Sequence, residues 1–302
     1  MSLRPPRADD FDAILALHNA AQLATFGEAD VTADEYRTWL TTPAVVPERD
    51  IRLLERDGRL LGYADAEKAS TRWWCDVKIH PDADANTAVP QLVAWLEGRV
   101  GDGVLRVWTG ANDDRMVGAF KRLGFAEHRH SYRMEIALDD ASREPAWPDG
   151  VSVRTFRPGE DRLAYDVTKE VWLDMSDQLE ETFDEWRHWT TEREGFDPSL
   201  WFFAEAGNEI AGFSFCKQDD ADDHAGYVGW LGVRRSWRRR GLGEALLLHS
   251  FAEFRKRGYR RATLGVDAAS PTGATRLYER AGMRVYRDTV FLERPVHGRH
   301  DS

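Results

Sequence analysis

The chain has 302 residues, 42% of them hydrophobic, a formal charge of −11 and two cysteines, Cys75 and Cys216. That length suits two domains of ordinary size, and the acidic balance argues against a general nucleic-acid surface. The cysteines sit in strand-like runs and are expected to be reduced core residues of a cytoplasmic protein. No apolar run approaches the roughly 20 residues of a membrane span, residues 1–7 lack a secretory h-region, and no metal-ligand spacing is present.

In chain order, Leu3 and Arg4 open a strand, and residues 9–21 follow as an amphipathic helix with Phe11, Ile14, Leu15 and Leu17 inward. Residues 32–40 form a second helix, with Thr32 as N-cap and Glu35 completing a capping box. A hairpin then turns at Arg56-Asp57-Gly58 between strands 51–55 and 59–64. The same order returns later. Strand 151–154, helix 161–174 and helix 182–193 (capping box Thr182 and Glu185) precede a hairpin of 201–204 and 210–215. Gly62 and Gly212 hold corresponding places, and residues 119–125 mirror 277–283. Repetition at half the chain length reads as a duplicated domain. The expected division is a first domain over 1–140, a polar, proline-bearing linker over 141–150, a second domain over 151–295, and a disordered tail over 296–302.

The second half contains the chemistry. Residues 226–233 form a strand interrupted by glycine, with a bulge or a close backbone approach near Gly232. From Gly243 the apolar residues Leu247, Leu248, Phe251 and Phe254 take helical spacing. Between strand and helix lies Arg238-Arg239-Arg240-Gly241-Leu242-Gly243. Glycines there let the chain turn sharply and approach a ligand, and the free N–H groups of the helix start attract anions. The segment reads as a pyrophosphate cradle, without the Lys-Ser/Thr of a P-loop or the third glycine of a dinucleotide fold. Strand 261–266, a small-residue loop to Gly273, helix 274–281 stopped by Gly282, and closing strands 283–286 and 289–292 follow.

Arg238, Gly241 and Gly243 fill the three defined places of Gln/Arg-x-x-Gly-x-Gly/Ala. Ala274, Leu277, Tyr278, Glu279 and Gly282 match Asn-x-x-x-Ala-x-x-Leu-Tyr-Glu-x-x-Gly-Phe, with Ser270 in place of the asparagine and Met283 in place of the phenylalanine. On these residues the chain resembles the GCN5-related N-acetyltransferase (GNAT) superfamily, in a tandem form similar to the mycothiol synthases. The resemblance implies a mixed α/β (α+β) chain of two tandem GNAT folds, each a mostly antiparallel central sheet flanked by helices. It implies acetyl-CoA as cosubstrate and direct attack by an amine. The cradle Arg239, Arg240, Gly241, Leu242, Gly243 and Glu244 would take the pyrophosphate, with Arg238 or Arg240 on the outer phosphate. The main chain of Leu231 and Val233, flanking Gly232, would pair with the pantetheine arm, and Ser270 would touch that arm or a water.

Tyr278 is the expected general acid. The tandem relatives place a glutamate on the strand where this chain has Tyr227, which makes Tyr227 the second catalytic candidate. Asp177, Glu180, Glu181, His224 or a water chain are the other routes for the amine proton. The acidic run 219–223 is expected to be a solvated loop, with attraction of a cationic amine as the alternative. Trp172, Trp186, Trp189 and Trp230 are candidates for an acceptor pocket, although at helical and strand spacing most of them are expected in the core. The first half has lost the glycines and arginines: residues 80–88 include Asp82 and Asp84, which would repel a pyrophosphate. Phe120 stands where the second half has Tyr278, although Asn112 keeps the asparagine. The first domain is therefore expected to be a non-catalytic copy. The expected activity is acetyl transfer to the primary amine of a small molecule such as an amino sugar, aminoglycoside, polyamine or amino-acid derivative. A protein or peptide N-acetyltransferase and a non-catalytic acyl-CoA-binding module are the alternatives. A monomer or homodimer, without nucleic-acid or membrane partners, is expected. The excess of Arg over Lys points to a GC-rich bacterial source.

Overall fold

The computed structural model describes residues 1–29, 31–40, 45–69, 72–139, 143–173, 181–220, 222–270 and 273–297. They divide into two compact units, 1–131 with 287–302, and 132–286. These bodies do not coincide with the sequence repeat. Residues 143–150 belong to the second unit, while the chain from Arg287 onward is counted with the first. Of the tail, 298–302 lies outside the described residues.

The first unit begins with β1 (Ser2–Arg4), α1 (Phe11–Phe26), α2 (Ala33–Leu40) and the short α3 (Pro47–Asp50). The hairpin β2 (Ile51–Arg56) and β3 (Arg59–Asp65) leads to β4 (Glu67–Ala69), β5 (Arg72–Trp74) and β6 (Val77–Ile79). Helix α4 (Ala85–Val100), β7 (Gly103–Gly110), α5 (Asp114–Arg122) and the start of β8 (Ala126–Ala137) follow. Strands pair in the order β1-β2-β3-β6, and β5 runs parallel to β7. That parallel pairing needs a crossover, which α4 supplies.

The second unit repeats this plan with β9 (Val151–Thr155), α6 (Asp161–Trp172), α7 (Phe183–Trp189), β10 (Trp201–Ala206), β11 (Glu209–Asp219) and β12 (Asp222–Val233). Then come α8 (Leu242–Lys256), β13 (Arg261–Asp267), α9 (Ala274–Arg280) and the start of β14 (Arg284–Val296), which from Arg287 is counted with the first unit. Strands β9 to β12 pair antiparallel, and β12 runs parallel to β13 with α8 as the crossover. The strands of each unit are thus mostly antiparallel and flanked by helices, those of the first unit falling in two sheets.

Two layers of side chains hold the second sheet. Leu247, Phe251 and Phe254 of α8 pack on Val228 and Leu264. On the opposite face Trp186 meets an aromatic layer of Trp201, Phe203, Phe213 and Phe215, with Trp201 stacked on Phe215 at 4.1 Å. Each fully buried ring contributes about 1.5–3 kcal/mol. The capping box at Thr182 and Glu185 is present, whereas the side chain of Glu35 lies outside the described residues.

Several elements differ from expectation, among them α6, which stops at Trp172, and β12, which begins at Asp222. Helix α7 stops at Trp189 rather than 193, because Thr190 leaves helical geometry (φ −118°, ψ −84°) and turns its hydroxyl back onto the Trp186 carbonyl. Helix α1 runs on to Phe26, where Gly27 closes it in the left-handed conformation. The two closing strands are one continuous β14.

Candidate active site

Strand β12 makes the site by leaving its neighbour. It pairs with β13 only from Ala225↔Arg261 to Val228↔Leu264, although both strands continue. The departure begins at Gly229, where the register with β11 shifts: Phe215 faces Trp230 while Cys216 faces Val228. The bulge is therefore at Gly229, not Gly232. Gly232 instead answers a close approach, since a Cβ there would lie 2.4 Å from the Phe213 ring. An extra residue increases local twist and carries the end of β12 away from β13.

Antiparallel pairing decides which groups face the opening. The Arg234 N–H donates to the Ala211 carbonyl, so Arg234 and Gly232 turn their main chain toward β11. Leu231 and Val233 then turn theirs toward the side that β13 has vacated. Their N–H groups thus lie along the open side of the strand.

The Val233 carbonyl on that side is already taken: Arg238 Nε donates to it at 3.0 Å. Arg238 thus braces the strand end against the loop. Arg240 lies over the Trp237 ring at 4.8 Å. Arg239 and Gly241 both have positive φ, 61° and 82°, which bends the N–H groups of this loop into a concave run. Helix α8 begins at Leu242 with Gly241 as N-cap and no side-chain cap, and the first intrahelical donor to Gly241 is Ala245. The N–H groups of Leu242, Gly243 and Glu244 are consequently left for an anion. Glu244 would oppose one, but its carboxylate is engaged by Arg143 at 2.7 Å.

Tyr278 is buried on α9, and burial pushes its hydroxyl up to about 12, with neighbouring Tyr227 adding to the shift. It therefore stays protonated and can donate throughout the neutral range. Tyr227 stands two residues before the bulge, at the apex of the opening, where its hydroxyl would lie 3.4 Å from a Cβ on Gly265. Arg133 of β8 lies over the Tyr227 ring at 4.9 Å and Lys217 of β11 at 5.6 Å. Ser270 is half-buried in the loop before α9, its N–H bonded to the Asp267 carbonyl.

The remaining candidates separate from this centre. His224 is exposed, five residues before Gly229 on an extended strand, or roughly 17 Å away. Glu181 accepts from Tyr165 through its carbonyl, and Asp177 and Glu180 lie outside the described residues. Trp186 is 1% exposed and belongs to the core rather than to a pocket wall. Trp230 stacks on it at 5.9 Å, Trp172 stacks on Phe213 at 6.4 Å, and Trp189 sits edge-on to His188. Within the expected acidic run, Asp219 is buried with Thr263 and Arg133, and Asp222 pairs with Arg261. Among the described residues no cluster of metal-ligating side chains occurs, and no helix is long and apolar enough to cross a membrane.

In the first unit the corresponding helix start is closed. Asp84 caps α4, accepting from the Asn86 N–H and the Thr87 hydroxyl, and Arg59 holds Asp82 at 2.8 Å. Phe120 is fully buried against Phe125. Asn112 uses its amide on the Thr25 carbonyl. A cavity of about 30 Å³ beside Gln22, Lys78 and Trp108 has room for about one water.

The splayed parallel pair and the uncapped glycine turn lie where the resemblance to the acyltransferases implied them. Residues 164–283 match the Acetyltransferase (GNAT) family. The chain is 31% identical over 298 residues to a mycothiol acetyltransferase of Thermobispora bispora, covering 94% of this chain and 96% of that one. A mycothiol acetyltransferase of Streptomyces griseus is 32% identical over 240 residues, covering 78% and 76% of the two chains. A GCN5-related N-acetyltransferase from Sphaerobacter thermophilus superposes with a TM-score of 0.82 at 29% identity, covering 98% of this chain and 96% of that one. A tandem GNAT protein of the clavulanic acid biosynthesis pathway shares the fold, with a TM-score of 0.74 at 16% identity over 97% and 98% of the two chains. The chain belongs to the GNAT family of acetyltransferases and carries the fold in tandem; it is an acyltransferase.

Proposed function

We propose that the second unit transfers an acetyl group from acetyl-CoA to the primary amine of a small molecule, and that the first unit is a non-catalytic copy. The observation that carries this reading is the uncapped start of α8 lying next to the open N–H rail of Leu231 and Val233. Arg239, Gly241, Leu242, Gly243 and Glu244 fit a pyrophosphate through their main chain, and Arg238 fixes the loop that presents them. Bound acetyl-CoA would supply an activated thioester. The N–H groups of Leu231 and Val233 would align its arm and polarise the acyl carbonyl. Tyr278 would donate a proton or hydrogen bond to the departing sulfur. Holding both substrates in one opening accounts for much of the acceleration.

The small-molecule acceptor is favoured by the named activity of the relatives. The silent first unit is favoured by the Asp84 cap and by Phe120. The test is thiol release from acetyl-CoA with a panel of amino sugars, aminoglycosides, polyamines and amino-acid derivatives. Turnover with at least one amine, lost in Gly241→Asp, is the expected result. Acyl-CoA binding without turnover of any small amine would overturn the reading.

A further inference from the structure

Two phenols, Tyr227 and Tyr278, lie close enough to feel one another electrostatically, and their surroundings differ. Tyr278 comes from α9 and is buried in an apolar layer with Val228 and Leu264. Tyr227 lies on the strand at the last paired positions, against Gly265 of β13, with two cations over its ring. Arg133 and Lys217 are themselves held. Arg133 bonds to buried Asp219 at 3.4 Å and to the Tyr286 hydroxyl at 3.3 Å. Asp219 is in turn fixed by the Thr263 hydroxyl at 2.5 Å. Lys217 pairs with Asp220, which Arg193 of the loop before β10 also holds at 2.6 Å. Among the groups bearing on Tyr227 are Arg133 from β8, Lys217 from β11, Gly265 and Thr263 from β13 and Tyr278 from α9. The carboxylates of Asp219 and Asp220 act from behind the two cations.

We propose that Tyr227 accepts the proton of the acceptor amine, and that Arg133 and Lys217 are positioning residues that make this possible by favouring its phenolate. This rests on the acyltransferase reading above and names the group that receives the amine proton. The amine nitrogen attacks the thioester carbonyl carbon, a C–N bond forms and the C–S bond breaks. The proton shed by nitrogen goes to the Tyr227 oxygen, and the departing sulfur takes the proton of Tyr278. Tyr227 then releases one proton to water and Tyr278 regains one, which closes the cycle. The asymmetry suits these roles. A negative charge on Tyr227 is felt by Arg133, which is held firmly protonated despite its burial, and by Tyr278, whose hydroxyl is pushed further up. Cations near a phenolate favour it, while an apolar layer disfavours one.

The experiment needs no acceptor for its first arm. Tyrosinate formation is followed by ultraviolet difference absorbance as pH rises, in wild type, Tyr227→Phe, Lys217→Gln, Arg133→Gln and Arg133→Lys. The first tyrosine to ionise is expected to vanish in Tyr227→Phe. It is expected to move about one pH unit upward when either cation is neutralised, and to return in Arg133→Lys. In the second arm, the acid limb of kcat/KM for an accepted amine is expected to move with it, and Tyr227→Glu to move that limb to lower pH. Lys217 is partly exposed, so Lys217→Gln serves if Arg133→Gln fails to fold. A first ionisation unchanged in Tyr227→Phe or Lys217→Gln overturns the proposal while leaving acyl transfer intact. Absence of turnover with every amine, with the ionisation as expected, overturns the function instead.

Discussion

Replacing Gly241 separates what the cradle needs from what the fold needs. Gly241 has φ +82°, and a Cβ there would meet nothing within 4 Å. The cost of alanine is therefore conformational, about 1–2 kcal/mol for an L-residue in the left-handed region. Gly243 is the opposite case. It is inside the first turn of α8 with negative φ, and a Cβ would touch Leu277 at 3.4 Å and Val233 at 3.6 Å, which is ordinary contact. Alanine there regains up to about 1 kcal/mol of helix propensity. Aspartate at 241 tolerates the left-handed region better than alanine and places a negative charge at a helix start, which favours the helix by about 0.3–1 kcal/mol. The same charge about 4 Å from a phosphate costs about 4 kcal/mol at an effective dielectric near 20, or about a thousandfold in Kd. Urea unfolding and calorimetric titration with coenzyme A read the two effects apart. Gly241→Ala should lower stability, Gly243→Ala should not, and Gly241→Asp should fold yet lose coenzyme A. A folded Gly241→Asp with unaltered affinity would refute the cradle.

Tyr278→Phe should slow acetyl transfer by about a hundredfold or more with coenzyme A affinity within about twofold, measured by steady-state kinetics and calorimetry. Since the folded hydroxyl is pushed up to about 12 and an unfolded phenol ionises near 10, wild-type stability should fall as pH rises from about 10 to about 12. The variant should escape that loss in alkaline thermal melts. Asp84→Ala should weaken the first unit by uncapping α4 while leaving turnover unchanged; loss of activity would contradict a silent first unit. Asp50 is lowered to about 2 because hydrogen bonds from Arg49, the Val46 N–H and Arg99 more than offset its burial. Its contribution is present above about pH 4 and lost as pH falls toward 2. The gap in unfolding midpoint between wild type and Asp50→Asn should close over that window.

Much of this protein could be read from local sequence. Strand and helix periods, the glycine turn at Arg238 to Gly243 and the duplication depend on neighbouring residues, and each is set by backbone sterics and by which face must be apolar. Tyr278 was legible because it falls within a short contiguous string. Arg133, Asp219 and Thr263 were not, since they come from β8, β11 and β13 and carry no common spacing. The bulge at Gly229 rather than Gly232 was equally hidden, because a bulge is a relation between two strands and both glycines look alike in one. Tertiary packing alone brought a phenol under two cations. It also decided that Glu244, a carboxylate in the first turn of α8, is met by Arg143 from about a hundred residues away. Charge and hydrogen-bond partners act through space, so residues far apart in the chain become chemistry only after the sheet has aligned them.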